Sequence, residues 1–286
     1  MSWANFHTHS NFDDGKVSPL EYVKEALNQN VRILGFSSHN FLPFNVGWTL
    51  KRENYKNYCG VIKKLSEKYK DKIEILLGLE VDFLPRYDSF YKEINLSVLD
   101  FVIGSVHFVN FFSRDKAWVI DETEEEFERG ITEIYKGDIR RAVEDYYELI
   151  KRMAQKEKLD IVGHLDLIKM NNKGEKYFSE KEDWYRKAVF ETLEIIANKN
   201  LILEVNTGGI ARGKTDSLYP SLWILEECYR RGISITLCSD AHSPEQITAK
   251  FKEAASILNS IGYKELYILT KGKGRACSFS KEGLNI

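Results

Sequence analysis

Imidazoles and carboxylates recur along this chain in a pattern that suits metal binding. His7, His9, His39, His107, His164 and His242 are all of its histidines, and each lies at or just beyond the end of a short apolar run. Glu80 follows Leu77 and Leu79, Asp240 follows Leu237 and Ser239, Glu204 lies within LEVN, and Asp13 and Asp14 come soon after the first histidine pair. Imidazole nitrogen combined with carboxylate oxygen suits zinc, manganese or iron, whereas calcium and magnesium sites draw almost wholly on oxygen. In His7-Thr8-His9, and again in Asp240-Ala241-His242, two donors are separated by one residue. On an extended chain such residues point to the same side and can grip one ion. A lone pair at this spacing is common on surface strands, and a single histidine at a strand end more often serves a structural hydrogen bond. The weight therefore rests on the whole set.

The elements that position these groups are strands whose ends gather on one side. Apolar runs at 4–6, 33–36, 73–77, 101–103, 161–162, 201–205, 233–237 and 266–269 imply seven or eight strands. Between them lie helical patterns at about 52–69, 138–155, 181–197, 221–231 and 244–261, and the segment SPLEYVKEALNQN starts a helix. Its signals are Ser18 as cap, Pro19 at the first helical position and Glu21 three residues after the cap. The acidic segment 121–130 carries the aromatic Phe127 and reads as a solvated helix. Alternating strands and helices predict parallel strands with helical crossovers, and a length of 286 residues without an evident linker predicts one barrel-like domain. In a parallel barrel all strand ends point one way, so the six imidazoles are expected to converge on one rim.

Composition limits the partners. The 41 basic and 43 acidic side chains leave a formal net charge of -2, so no overall positive field draws in a nucleic-acid backbone. Aromatic residues make up 13% of the chain, but no basic stripe accompanies them, so core and rim packing is expected rather than base stacking. No segment has the run of about 18 apolar residues that spans a bilayer, and no basic flank leads into an apolar stretch at the start. Cys59, Cys228, Cys238 and Cys277 are far apart and without CxxC spacing, which predicts reduced thiols in a cytoplasmic protein. A small, locally recognised substrate fits these properties; nothing in them sets the oligomeric state.

The ordered series FHTHS, SSHN, GLEVDF, GSVHF, GHLDLIK, EVNTGG and CSDAH resembles the PHP (polymerase and histidinol phosphatase) superfamily over essentially the whole chain. The resemblance implies an α/β fold, a distorted (β/α)7 barrel of the PHP type, as a single domain over 1–286, with two or three divalent transition metal ions (Zn, Mn or Fe). Carried onto this sequence, one ion takes His7, His9, Glu80 and Asp240, and a second shares Glu80 and adds His107 and His164. A third uses His39 and His242 with a first-loop ligand, Asp14 or Asp13. His242 is alternatively a general acid if that third site is empty. SSHN places Ser38 where many relatives carry an acidic residue, which leaves open what supports His39.

HNFLPF, GSVHFV with the acidic stretch after it, GHLDLIK and NTGGIARG are most similar to the monofunctional histidinol-phosphate phosphatases. That subgroup implies hydrolysis of L-histidinol phosphate to L-histidinol and phosphate by a metal-bound hydroxide, with Glu80, Asp240 and His242 as catalytic residues. Phosphate is expected to meet Arg212 or Lys169, which are otherwise surface cations. The organic half, which carries an ammonium and an imidazole, is expected to meet aromatic and acidic rim groups, with Trp118, Phe108 and Glu204 as candidates. Glu204 and Asn206 alternate on one strand and are equally readable as satisfied buried groups. Gly208 and Gly209 read as turn geometry. Two other readings stand beside this one: a phosphoesterase for another phosphomonoester or nucleotide, and a non-catalytic metal-binding regulatory protein.

Overall fold

The computed structural model describes residues 1–87, 93–271 and 273–286. Seven parallel strands form one sheet in the order β1 (Trp3–Asn5), β2 (Val31–Phe36), β3 (Glu74–Asp82), β4 (Phe101–Ser105), β7 (Ile161–Val162), β8 (Ile202–Asn206) and β9 (Ile235–Cys238). The sheet curls into a nearly closed barrel. Its seam lies just past the strand ends, where Thr8 and Ala241 form a parallel bridge, with His9 N donating to Ala241 O (2.9 Å) and Ala241 N to His7 O (3.1 Å).

Helices α1 (Pro19–Asn28), α2 (Tyr55–Tyr69), α4 (Ile139–Lys156), α5 (Asp183–Asn198), α7 (Leu222–Arg230) and α8 (Phe251–Ile261) surround the strands, and each buries an apolar stripe on the core. α3 (Glu124–Glu133) forms inside the acidic segment, capped by Thr123, whose hydroxyl accepts from Glu126 N (3.2 Å). Its buried face carries Phe127, Gly130 and Ile131 while its glutamates stay in solvent. A distorted (β/α)7 barrel is thus present.

The structure departs from the sequence expectations in four places. Residues 108–119 form an antiparallel hairpin, β5 (Phe108–Ser113) with β6 (Lys116–Val119), which the sequence hid because its polar turn has no glycine. The run at 266–269 is no barrel strand: it lies in β10 (Glu265–Thr270), which pairs with β11 (Lys273–Ser280), and that with β12 (Gly283–Leu284), in a separate antiparallel sheet. The pattern at 244–261 breaks into a short turn at Pro244–Gln246 and α8, with Lys250 left-handed at φ 63°. Tertiary bonds from Thr207 Oγ1 to Ala249 O and from Thr248 Oγ1 to Gln29 Oε1 take the helix's place there. At α1 the chain enters the helix at Pro19 as expected, but the Ser18 hydroxyl makes no capping bond.

Candidate metal centre

Every barrel strand ends on the same rim, and the six histidines come with it. Their rings form one connected group, with centroids 5.1 Å apart for His7 and His9, 4.5 Å for His9 and His39, 5.2 Å for His39 and His107, 4.9 Å for His107 and His164, and 4.3 Å for His9 and His242. The backbone explains the convergence. The segment is bonded on both sides, His7 O and His9 N to Ala241 across the seam and Thr8 to Ser37 on the other flank, which holds His7-Thr8-His9 extended with both imidazoles inward. His39 bridges Glu80 in the same way, through Glu80 N to Ser38 O (3.1 Å) and Asn40 N to Glu80 O (2.9 Å).

Glu80, fully buried, is the hub. Its Oε2 lies 3.2 Å from His7 Nε2, 3.6 Å from His9 Nε2 and 3.0 Å from His39 Nδ1. Its Oε1 lies 2.9 Å from His164 Nε2 and 3.6 Å from His107 Nε2. Asp240 sits beside it, with Oδ1 3.1 Å from His9 Nε2 and 3.7 Å from His7 Nε2. Asp240 occupies the left-handed region at φ 50°, tolerable for an aspartate. Donor atoms gather within reach of a single ion in the sets His9, Asp14, His39 and His242; His7, His9 and Asp240; His7, Glu80 and His164; and His39, Asp82 and His107. His7 Nε2, His9 Nε2, His39 Nδ1 and Glu80 Oε2 are buried and make no hydrogen bond among the described residues. Lone pairs directed at a shared point and left unbonded there fit divalent cations.

An outer ring of carboxylates orients the imidazoles. His7 Nδ1 donates to Glu204 Oε1 (2.6 Å), His9 Nδ1 to Asp13 Oδ2 (2.6 Å) and His107 Nδ1 to Asp82 Oδ1 (2.7 Å). These bonds fix the tautomer that offers Nε2 inward. Asp13 also accepts from Ser10 N, from Ser38 Oγ (2.8 Å) and from His39 N (3.0 Å). Ser38 thus pairs with Asp13, which supplies the acidic support of the His39 loop from the first loop. Asp14 points instead at His242 Nε2, 3.1 Å away.

The electrostatics follow from this crowding. Burial alone drives the His7 and His9 imidazoles down, but the surrounding carboxylates, Glu204 foremost for His7 and Asp13 for His9, together raise both well above the ordinary imidazole range. His107 is opposed by burial too, yet Asp82 and Glu80 push it up to about 10. Burial favours neutral Glu80, but His7, His39 and His107 hold its pKa well below the usual carboxylate range.

The cluster forms the floor of a cavity of about 330 Å³. Arg212 lines it, with one guanidinium nitrogen bonded to Asp240 O and the other 2.8 Å from Asp240 Oδ2. This leaves Oδ1 of Asp240 facing the imidazoles. Gly208 and Gly209 make the approach possible: neither has positive φ, and both begin a helical turn, α6 (Gly208–Ala211). A Cβ on Gly208 would lie 2.7 Å from Ser239 O and 2.9 Å from the Arg212 guanidinium. Their role is close packing rather than turn conformation.

Four expected substrate contacts lie elsewhere. The Lys169 ammonium is buried, 2.7 Å from Asp166 Oδ2 and bonded to Leu218 O and Ser221 Oγ, so it braces an internal loop. Trp118 is fully buried under α3, its Nε1 donating to Glu126 O (3.2 Å). Phe108 is buried and stacked on Trp48, ring centroids 5.6 Å apart, and it is Trp48 that reaches the cavity. Glu204 is fully buried behind His7 and also accepts from His164 N (2.7 Å). Side chains not foreseen line the cavity: Trp48, Asp121, Glu122, Lys214 and Tyr219. Asp82, two residues after Glu80 on the same strand face, was legible from the period of two.

Comparison with known proteins agrees with this geometry. The chain is 28% identical to the histidinol-phosphatase of Lactococcus lactis, with 93% of this chain and 94% of that protein aligned. It is also 28% identical to the histidinol-phosphatase of Bacillus subtilis, over 85% of this chain and 94% of the relative. A solved histidinol phosphate phosphatase from Lactococcus lactis, complexed with zinc, L-histidinol and phosphate, superposes with a TM-score of 0.67 at 24% identity, covering 100% of this chain and 99% of its own. The PHP domain family model matches residues 5–208, which include six of the eight central donors, His7, His9, His39, Glu80, His107 and His164, and stop short of Asp240 and His242. The chain belongs to the PHP domain family.

Proposed function

We propose that this chain is a metal-dependent histidinol-phosphatase, a phosphoric monoester hydrolase that cleaves L-histidinol phosphate to L-histidinol and phosphate in histidine biosynthesis. The observation that carries the reading is four imidazoles, His39, His107, His164 and His242, lining one cavity with Glu80 and Asp240, to which the buried His7 and His9 are joined at 3.2 Å and 3.1 Å, in a chain whose named histidinol-phosphatase relatives align along most of its length. The reading assigns His7, His9, Glu80 and Asp240 to one ion, Glu80 with His107 and His164 to a second, and His39, Asp14 and His242 to a third; the sets His7, His9 and Asp240, and His9, Asp14, His39 and His242, support the first and third, and the approach of His164 (2.9 Å) and His107 (3.6 Å) to Glu80 Oε1 supports the second. Divalent ions bound there supply charge neutralisation for an anionic ester and a nucleophilic oxygen at neutral pH.

The chain's own groups do the rest. Glu80 has two oxygens facing different imidazoles, which suits a bridging carboxylate. Arg212 restrains Asp240 and presents a cation to the same cavity where a phosphoryl group would lie. Lys214 adds a second cation to the cavity lining. We read residues 1–286 as one domain, supported by the bonds between Ser2 and Leu284 that tie the two ends together. The four cysteines are free and buried, in keeping with a reducing cytoplasm.

The test is phosphate release from L-histidinol phosphate by protein loaded separately with zinc, manganese and iron, beside phenyl phosphate. A strong preference for histidinol phosphate is expected. Slow, indiscriminate release would keep the metal centre and reassign the substrate, and no release in any loaded form would favour a binding role.

A further inference from the structure

Glu80 does not present its two oxygens alike. Oε2 is buried and makes no hydrogen bond among the described residues, while Oε1 accepts from the Ser105 hydroxyl at 2.6 Å. Ser105 ends β4, and the register that sets it beside Asp82 on β3 turns its side chain to the face that carries Glu80. Both residues are buried, and an ionised carboxylate only accepts, so the direction of this bond is fixed.

The neighbouring strand gives up a side chain to make room for the hydroxyl. Gly163, just after β7, has no positive φ, so its conformation does not demand glycine. A Cβ there would lie 2.5 Å from Ser105 Oγ, against 3.1 Å from Ile103 Cγ2 and 3.4 Å from Gly104 O. The atom that an alanine would displace is therefore the hydroxyl, which moves aside by turning about one bond.

A carboxylate oxygen has about two lone-pair directions, and on Oε1 Ser105 takes one, which leaves one for a cation. His164 Nε2, 2.9 Å from the same oxygen, and His107 Nε2, 3.6 Å from it, are the imidazoles that would share that cation. Once His164 turns its Nε2 lone pair to an ion, Ser105 is the donor that remains to the Glu80 side chain among the described residues. A carboxylate with neither oxygen held is free to close both on one ion.

We infer that Ser105 is a positioning residue for the second ion: it holds Glu80 Oε1 toward His107 and His164, so that the carboxylate spans two ions instead of closing on the first. This rests on the metal-dependent reading above and adds to it the group that sets how the bridge is shared. A hydroxyl buried only for structure is a weaker account. Such a serine can satisfy itself on a backbone carbonyl, as Ser66 does on Ile75 O (2.8 Å), and needs no gap in the strand opposite.

The experiment is stepwise zinc binding, read by competition with a chelating dye, in the unaltered protein, Ser105→Ala, Gly163→Ala and the double variant. His107→Ala marks which step belongs to the second ion. In Ser105→Ala that step should weaken about 10- to 100-fold, the usual effect of removing a group that orients a ligand, while the first step shifts less than about threefold. Gly163→Ala keeps the hydroxyl but turns it aside, so it should weaken the same step. In the Ser105→Ala background it should add less than about threefold, because the atom it displaces is gone. Circular dichroism checks that each variant folds, and if Ser105→Ala does not, Gly163→Ala decides by the same split. An unchanged second step overturns the assignment, as does equal weakening of every step, which would make Ser105 a packing residue. Unaltered protein that takes up fewer than two zinc ions fails one level earlier: it removes the paired-metal reading, and the assignment with it.

Discussion

Glu80 joins the two halves of the cluster, one oxygen among His7, His9 and His39 and the other toward His107 and His164. Glu80→Gln keeps the shape but replaces one oxygen with an amide nitrogen that cannot bind a cation, so turnover should fall by at least about 10³-fold with the protein still folded. Rate measurement beside circular dichroism checks this, and near-normal turnover would refute a bridging role. Asp13 acts one layer out, on His9 and on the His39 backbone. Asp13→Asn should therefore weaken zinc binding about 10- to 100-fold, which a competition titration with a chelating dye will read.

At the scale of elements, the cavity wall depends on packing behind it. α3 crosses Trp118 at Gly130, where a Cβ would lie 2.1 Å from the indole. Gly130→Ala should push the helix off the hairpin and cost about 1–3 kcal/mol in urea unfolding, because the indole is enclosed and cannot yield cheaply. The loop carrying Tyr219 is braced by Lys169, whose partners Asp166 and Ser221 are also buried. Lys169→Met leaves Asp166 as an uncompensated buried charge and should cost about 3–5 kcal/mol in the same assay. A change confined to KM for phosphate esters, with full stability, would instead restore Lys169 as a phosphate contact.

For the molecule as a whole, metal, protons and stability are linked. Without metal, the raised pKa values of His7, His9 and His107 stabilise the fold fully below the ordinary imidazole pKa of about 6.5, and this contribution is lost as pH rises toward the folded values, about 10 for His107. The depressed Glu80 works in the opposite sense: its contribution is present above the ordinary carboxylate pKa and lost as pH falls. Metal-free protein should thus be most stable between those two ranges and lose stability toward pH 9, where added zinc restores it. Zinc must also displace protons from the imidazoles, so binding at pH 7 should release at least about two protons per chain, read by calorimetry in buffers of different ionisation heat.

Where the imidazole and carboxylate donors gather is legible in the residues alone. Every histidine stands beyond an apolar run, and a parallel barrel sends all such positions to one rim, so local pattern and fold class together place them. The period of two in His7-Thr8-His9 likewise sets which way those rings face. The cavity wall was decided only by the tertiary structure. Asp121 and Tyr219 are 98 residues apart and line the same cavity because the segment after a hairpin without a turn signature and a loop braced by Lys169 both reach the rim. Whether an aromatic or a charged side chain faces cavity or core depends on what packs behind it, as Trp118 under α3 and Glu204 behind His7 demonstrate. Such long-range packing leaves no periodic trace in the residues themselves.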